Sequence, residues 1–176
     1  MCGYAVTAHV ETVTSMGPAE EKTFLDLFAA VEAAPKPAVV VMQEIGGHSD
    51  WAAHSGEIMA TTFQRLGAVG LVSDSGVRDL PEVRALGFHY FARGAVASHA
   101  SFRIVRSSVP VHILGMAVQP GDLLHGDENG LVMVPEADPV ELKACVDAIR
   151  AREGELMAFI RSPGFTLDKL RGRFFE

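Results

Sequence analysis

One arginine and three acidic side chains are candidates for metal-assisted chemistry on a small anion. Two of them, Arg78 and Asp79, follow a short apolar run and a turn, where α/β sheets tend to present functional groups. Arginine can hold a carboxylate and a carbonyl in a fork, and aspartate offers a hard oxygen ligand to Mg²⁺. A surface salt bridge or a turn cap is the simpler alternative for so short a motif.

A second candidate is the predicted start of a helix at Ser55 to Met59. Ser55 is a plausible N-cap, and Gly56 and the following residues would leave backbone N–H groups free. The helix dipole and these donors favour an anion, so a carboxylate could dock there. An ordinary capped helix is the alternative.

The third candidate is Glu153, which interrupts an apolar stripe in a long predicted helix. The stripe consists of Leu142, Val146, Ile149, Leu156 and Ile160. A carboxylate on an apolar seam needs a partner, because burying an unpaired charge is costly. Glu153 therefore either reaches a metal or cation across a subunit interface, or the stripe opens to solvent at that point.

Other nucleophile and metal patterns are weak. His48 and His54 are six residues apart in a loop and do not match a metal-ligand spacing, although either could border the site. Ser73 and Ser75 lack the G-x-S-x-G elbow of serine hydrolases. A methyltransferase is disfavoured because no glycine-rich strand-to-helix cofactor loop is present.

Composition sets the class of protein. The chain has 176 residues, of which 48% are hydrophobic and 21% are charged, as expected for a single domain over 1–176. Its formal net charge of −7 argues against nucleic-acid binding, and the basic run Lys169 to Arg173 suits a solvated terminal helix. Without a spanning segment or signal peptide pattern, we expect a cytoplasmic protein with no membrane partner. The isolated Cys2 and Cys145 indicate no zinc site or disulfide, and Cys145 suits a helix core position.

Hydrophobic periodicity predicts an α/β sandwich with a mixed sheet. Helices are predicted at Pro18 to Val31, from Ser55 to Gly67, and from Pro139 to about Ile160 with Asp138 as its cap. Strands are predicted at Tyr4 to Val10, Ala38 to Met42, Val69 to Val72, Phe88 to Phe91, Phe102 to Val105, Val111 to Leu114 and Leu131 to Val134.

Several stretches together resemble the RraA-like family, which includes 4-hydroxy-4-methyl-2-oxoglutarate aldolases and oxaloacetate decarboxylases. They are Gly3 to Thr7, Gly46-Gly47, Gly56 to Ala60, Gly70 to Val72, Asp74 to Asp79, Val118 to Asp122 and Asp127 to Pro135. The Gly-x-Val-Arg-Asp stretch, followed by Pro-Gly-Asp and Asp-x-x-Gly, is specific in combination.

The resemblance implies a site of defined parts. Amides of Gly56 to Met59 and the Arg78 side chain would bind the pyruvate moiety, and Asp79 would bind a divalent metal (Mg²⁺, Mn²⁺ or another) directly. Glu57 and, from a neighbouring subunit, Glu153 would act in catalysis by holding waters around the metal. The implied fold is an α/β sandwich like the swivelling phosphohistidine domain, assembled as a homotrimer or homohexamer.

The implied activity is that of a class II, metal-dependent pyruvate aldolase, with oxaloacetate decarboxylase activity through the same pyruvate enolate. The alternative is a regulator without enzymatic activity, because the family's namesake proteins inhibit a ribonuclease by protein contact. Two features depart from the family pattern. The sequence starts at what resembles the family's first strand, without the usual N-terminal helical segment, which indicates either a shortened member or part of a longer gene product. His54-Ser55 stands where a bulky apolar residue often precedes Gly56.

Overall fold

The computed structural model describes residues 1–13, 21–113, 115–135 and 139–174. Its internal contacts divide the chain into two compact units, Met1–Pro135 and Glu136–Glu176. Each unit is built differently, the first around a sheet and the second from helices. The expectation of a single domain over 1–176 stays a prediction.

The first unit has α/β architecture. Its helices are α1 (Glu21–Ala33), α2 (Glu57–Arg65) and α3 (Leu80–Ala85). Its strands are β1 (Cys2–Val13), β2 (Ala38–Glu44), β3 (Ala68–Ser73), β4 (Gly76–Val77), β5 (His89–Phe91), β6 (Gly94–Ala95), β7 (Ser101–Ser107), β8 (Val111–Ile113), β9 (Met116–Val118), β10 (Leu123–Asp127) and β11 (Gly130–Val134).

The main sheet is mixed, with strand order β11-β10-β1-β2-β3-β5, and β7 pairs with the far end of β1. The pairs β1–β2, β2–β3 and β3–β5 are parallel, whereas β10 and β7 run antiparallel to β1. Parallel strands in such folds are covered on both faces, which explains the continuous apolar run in β2. Their carboxyl ends therefore meet at one edge, beside the loops that follow β2 and β3.

Alternate residues of β2 supply the two halves of the hydrophobic core. Val40 and Met42 pack on the face covered by α1 and α2, where Leu27 and Phe63 are fully buried. Val39 and Val41 pack on the opposite face, in the cluster that includes residues of the β8–β9 hairpin. This period of two is a direct consequence of strand geometry.

The second unit contains α4 (Pro139–Ile160) and α5 (Leu167–Phe174). The predicted stripe on α4 is largely exposed, and Ile149 is 58% exposed. Cys145 is also exposed, so the prediction of a core position is wrong: among the described side chains of α4, none is buried. The predicted cap at Asp138 lies outside the described residues. Among the described helices, none is both long and apolar enough to cross a bilayer.

The predicted elements are confirmed where they can be compared. All seven predicted strands and the three helices are present, with boundaries shifted by a few residues; Pro18 and Leu114 lie outside the described residues. The basic run after Lys169 lies in α5, a solvated terminal helix as expected. The short elements β4, β6, β9, β10 and α3 were not predicted, because these short segments carry too little periodicity to indicate a strand or a helix.

Candidate functional site

Two loops are joined side by side at the carboxyl edge of the sheet. The Gly76 N–H donates to the Ala52 carbonyl oxygen (3.1 Å), and the His54 N–H donates to the Gly76 carbonyl oxygen (2.9 Å). One step further, the Arg78 N–H donates to the Ser55 carbonyl oxygen (2.9 Å). These hydrogen bonds pair the 52–55 loop with β4 and bring the start of α2 beside Arg78.

The start of α2 is held by a side chain from the other loop. The prediction that Ser55 is the N-cap of α2 is wrong, because the N-cap is Gly56. The Ser55 side chain is buried and accepts a hydrogen bond from Tyr90. Gly56 makes no side-chain cap hydrogen bond, but the Glu57 N–H donates to Asp79 Oδ2 at 2.9 Å. The carboxylate of Asp79 thus satisfies one of the orphan donors of the first turn.

Arg78 and Asp79 lie next to each other and remain open to solvent. Their side chains are each 38% exposed, and 3.7 Å separates Arg78 Nε from Asp79 Oδ2. Asp79 has a left-handed backbone, with φ 57° and ψ 42°, and is the N-cap of α3. Left-handed conformations of residues other than glycine are concentrated at functional sites, and aspartate tolerates them better than most residues.

Gly56 permits this close approach because it has no side chain. A Cβ atom at this position would stand 2.5 Å from Asp79 Oδ2 and 2.8 Å from Arg78 Nε. Its φ of −129° is open to any residue, so space rather than backbone conformation requires glycine here.

Tyr90, from β5, holds the loop at Ser55 and Gly56 in place. It was not predicted from the sequence as a site residue. Its hydroxyl donates to Ser55 Oγ at 2.9 Å and also lies 3.3 Å from the Gly56 carbonyl oxygen. Burial raises the pKa of the Tyr90 phenol, and the Asp79 charge raises it further. The hydroxyl is therefore a neutral donor.

A buried polar network lies beside this loop. The Glu44 carboxylate accepts hydrogen bonds from the Thr12 N–H (3.0 Å to Oε2), the Thr12 hydroxyl (2.6 Å) and the Gly46 N–H (2.6 Å). His54 Nε2 lies 3.1 Å from Glu44 Oε2, and its Nδ1 lies 3.1 Å from Ser73 Oγ. Burial alone would raise the pKa of the Glu44 carboxyl, but the hydrogen bonds from His54, Thr12 and Gly46 outweigh it and lower the pKa to about 2.

A second carboxyl group, Asp74, completes this network from the loop after β3. Its Oδ1 accepts a 2.7 Å hydrogen bond from the Glu44 N–H. Burial raises the pKa of the Asp74 carboxyl, against the lowering effect of that hydrogen bond. Glu44 was not predicted as a functional residue. The signal available for it was an acidic residue at the end of an apolar strand, shortly before the Gly46-Gly47 pair.

These residues surround a cleft of about 320 Å³, near the lower end of the usual size of small-molecule sites. The cleft is lined by Phe24, Ala53, His54, Ser55, Gly56, Glu57, Ile58, Met59, Arg78, Asp79, His99 and Phe102. The predicted site residues of the first unit therefore come together in one place, including His54 as a bordering residue. Glu153 is exposed on α4 in the second unit, and its role stays a prediction.

The donor set at the cleft suits a metal that keeps most of its waters. Within the described residues, no group of three or more His, Cys, Asp or Glu side chains is placed to hold an ion. Asp79 offers a partly exposed carboxylate whose Oδ2 is held by the Glu57 N–H, so the orientation of the group is set. One hard oxygen ligand with waters fits Mg²⁺ or Mn²⁺ and does not fit the closed N and S cages of zinc.

Comparison with known proteins extends these observations. The family model described as RraA-like (Aldolase/RraA) matches residues 1–133. A Halalkalibacterium halodurans protein named "Putative 4-hydroxy-4-methyl-2-oxoglutarate aldolase" is 32% identical over 83 residues, which cover 47% of this chain and 40% of that protein. Protein DlpA of Legionella pneumophila is 27% identical over 143 residues, 80% of this chain but 23% of its own length. The chain thus spans less than half of either relative.

The fold also matches a solved structure. Streptomyces coelicolor RraAS2, described as an unusual member of the RNase ES inhibitor RraA protein family, is 28% identical with a TM-score of 0.66. The match covers 89% of this chain and 76% of that one. It confirms the predicted fold class.

Proposed function

The chain belongs to the RraA-like family, and we propose that it is a divalent-metal-dependent lyase that releases pyruvate from 4-hydroxy-2-oxo acids. The substrate class includes compounds of the 4-hydroxy-4-methyl-2-oxoglutarate type, and decarboxylation of oxaloacetate would be a second reaction of the same site. In both reactions a C–C bond next to the pyruvate unit breaks and its electron pair forms an enolate.

The observation that carries this proposal is the convergence of three anion- or metal-binding features in one cleft. The Arg78 guanidinium, the first-turn amides of α2 and the Asp79 carboxylate all line it. Glu57 N–H is already used by Asp79, so the amides of Ile58 and Met59 are the donors left for a substrate carboxylate.

Arg78 would act where negative charge develops. A guanidinium facing the substrate carboxylate and 2-oxo oxygen stabilises the enolate oxygen more than the ground-state ketone. A divalent ion held by Asp79 would supply Lewis acidity at the same oxygen. The hydrogen bond from the Glu57 N–H holds the Asp79 carboxylate at the start of α2, so this group is oriented before substrate arrives.

Proton transfer is assigned to the glutamates. Glu57 lies in the first turn of α2 at the cleft, where its carboxylate can orient a water near the substrate. That water would take the 4-hydroxyl proton and return a proton to the enolate carbon. Glu153, supplied by a neighbouring subunit of a trimer or hexamer, is proposed to hold the water from the other side.

The shared site can be tested by complementation. Inactive Arg78→Ala and Glu153→Ala proteins, denatured and refolded together, should form some sites with both residues intact, so that activity partly returns. Refolding each variant alone is the control. Mixed oligomers that stay as inactive as their parents would assign Glu153 to its own chain's surface.

A second candidate function is regulation of a ribonuclease by protein contact. It is favoured by the likeness to RraAS2, whose description names an RNase ES inhibitor family. A pure binder has no need for the Arg78, Asp79 and Glu57 arrangement, which is why the lyase is preferred.

The deciding experiment is pyruvate release from a panel of 2-oxo acids with and without Mg²⁺ or Mn²⁺. Metal-dependent release, abolished by a chelator and restored by the metal, is the expected result. A folded oligomer that releases pyruvate from no member of the panel with any divalent metal would leave the regulator as the better function.

A further inference from the structure

A second pocket lies in the first unit, apart from the cleft. Its volume is about 440 Å³, against about 320 Å³ for the cleft, and no described residue lines both. Residues of α3, of β5 and of the paired strands β4 and β6 form its walls. We infer that this pocket binds a small amphipathic carboxylate, a molecule with one apolar ring or chain and one carboxylate group. This binding site is separate from the proposed lyase reaction.

The interior of the pocket is apolar. Val77, Val83 and Phe88 line it, and each of them is almost completely buried. Leu80 adds apolar surface that is 38% exposed. The Phe88 and Tyr90 rings pack edge to face, with their centroids 5.9 Å apart. Transfer of a ring or alkyl chain from water to such a surface is favourable, and the packed rings give the surface a defined shape.

Two basic side chains line the same pocket. Arg84, in the last turn of α3, and His89, the first residue of β5, are both exposed. Within the described part of the chain, neither side chain takes part in an ion pair or a hydrogen bond. No acidic residue is among the described residues that line the pocket. A guanidinium that lies beside apolar surface without a counter-charge is suited to hold a carboxylate in its fork.

The end of α3 does not cancel this positive charge. A helix C-terminus carries a partial negative charge, which disfavours an anion. Here its carbonyl oxygens are already paired. The Gly87 N–H donates to the Arg84 carbonyl oxygen at 3.0 Å, and the Phe88 N–H donates to the Val83 carbonyl oxygen at 3.3 Å. The full charge of the Arg84 side chain therefore outweighs the partial charge of the helix end.

One chain is sufficient to form the pocket. All the residues that line it lie between Val77 and Ala95. The neighbouring subunit that is proposed to supply Glu153 to the cleft is therefore not required here. A neighbouring subunit that covered the pocket in the oligomer would exclude the ligand, so the experiments are made on the intact oligomer.

Calorimetry with three ligands tests the inference without turnover. Phenylacetate carries both a ring and a carboxylate, phenethyl alcohol has the ring without the charge, and acetate has the charge without the ring. Phenylacetate should bind in the millimolar range or more tightly, and about tenfold more tightly than either of the others, because it gains from ring burial and from the guanidinium. Absence of phenylacetate binding, or equal binding of phenylacetate and the alcohol, overturns the inference.

Glutamine variants of three arginines locate the ligand. Arg84→Gln should weaken phenylacetate binding about tenfold through loss of a charge-assisted hydrogen bond. Arg78→Gln, in the cleft, should leave that binding unchanged. Arg65→Gln is the matched control, because Arg65 is also an exposed arginine in the last turn of a helix, α2, but does not line the pocket. Dependence on Arg78, or no dependence on Arg84, contradicts the inference.

Two further measurements separate this site from the cleft and from a subunit interface. Saturating pyruvate should leave the affinity for phenylacetate unchanged, because the two pockets share no described lining residue. Competition between the two ligands would mean that phenylacetate binds in the cleft. Light scattering should show the same oligomer for the parent protein and Arg84→Gln, whereas dissociation of the variant would assign Arg84 to an interface; either contrary result overturns the inference. A protein that releases no pyruvate but binds phenylacetate through Arg84 would disprove the lyase alone.

Discussion

Two polar pairs at the same edge of the sheet differ in how far their hydrogen-bonding capacity is used. The buried pair, Glu44 and His54, has side chains that are 1% and 0% exposed, and both Glu44 oxygens accept hydrogen bonds. The open pair, Arg78 and Asp79, is 38% exposed on each side chain and joined only by a long 3.7 Å contact. A pair whose hydrogen-bonding groups are all used can stabilise the surrounding structure, whereas a pair with unused donors and acceptors can still bind a ligand.

The two pairs are connected through the backbone. His54 ties the buried pair to β4 through its N–H, and the next residue, Ser55, accepts from the Arg78 N–H. The buried network therefore sets the position of the loop on which the open pair depends. We expect changes in the open pair to affect chemistry and changes in the buried pair to affect stability.

The largest effect is expected for Asp79→Ala. Removing the proposed metal ligand should lower metal-dependent pyruvate release about a thousandfold or more, since a bound metal supplies several kcal/mol of charge stabilisation. Calorimetry with Mg²⁺ should show loss of binding. The matched control is Asp50→Ala, an aspartate that also pairs with an arginine, Arg93, at 3.2 Å but outside the cleft. Unchanged Mg²⁺ affinity in Asp79→Ala would remove the open pair from metal binding.

Arg78→Lys should cost about a hundredfold in kcat, roughly 3 kcal/mol of transition-state stabilisation, because an ammonium cannot reproduce the guanidinium fork. Thermal unfolding should be close to that of the parent protein. Arg93→Lys provides the control for a general arginine effect. Near-normal turnover in Arg78→Lys would mean that Arg78 has no part in the reaction.

Glu44→Gln, in the buried pair, should affect stability more than activity. The amide NH₂ would face other donors, so we expect a loss of about 3 kcal/mol in the free energy of unfolding. Glu11→Gln is the control: Glu11 pairs with Arg103 at the surface, and such pairs contribute at most about 1 kcal/mol. Urea unfolding measures both.

The same pair predicts a pH dependence. The pKa of Glu44 is lowered from 4.5 to about 2 in the folded protein. Its stabilising contribution is thus fully present above pH 4.5 and is lost as the pH falls from 4.5 towards 2. The stability difference between the parent protein and Glu44→Gln should shrink over that interval, and a constant difference would contradict the assignment.

The smallest effect is expected for Gly56→Ala. A methyl group would displace Asp79 Oδ2 and Arg78 Nε, so activity should fall about tenfold through misplacement of the open pair. The unfolding free energy should change by less than about 1 kcal/mol, because the backbone angles suit alanine. Gly94→Ala is the control, since no atom lies within 4 Å of a Cβ there. Full activity in Gly56→Ala would show that the close approach is not required.

The repeating elements of this protein could be predicted from its sequence. Alternation of apolar and small polar residues predicted β1, continuous apolar runs predicted β2 and β3, and apolar residues three to four positions apart predicted α4, because burial of a strand or helix leaves a regular trace in the sequence. The motifs around Gly56 and Arg78 also identified most residues of the cleft. They were predicted as separate pieces, an anion-binding helix start and a fork with a metal ligand.

The tertiary structure decided how the start of α2 meets Arg78 and Asp79 and which buried residues support them. Three features depend on contacts between residues about 20 to 35 positions apart. They are the pairing of the 52–55 loop with β4, the position of the N-cap at Gly56 instead of Ser55, and the hydrogen bond from Tyr90 to Ser55. The saturation of Glu44 likewise required Thr12, 32 residues away. A hydrogen bond between distant residues leaves no periodic trace in either segment, so only the folded chain reveals which carboxylate is satisfied and which one is free to bind.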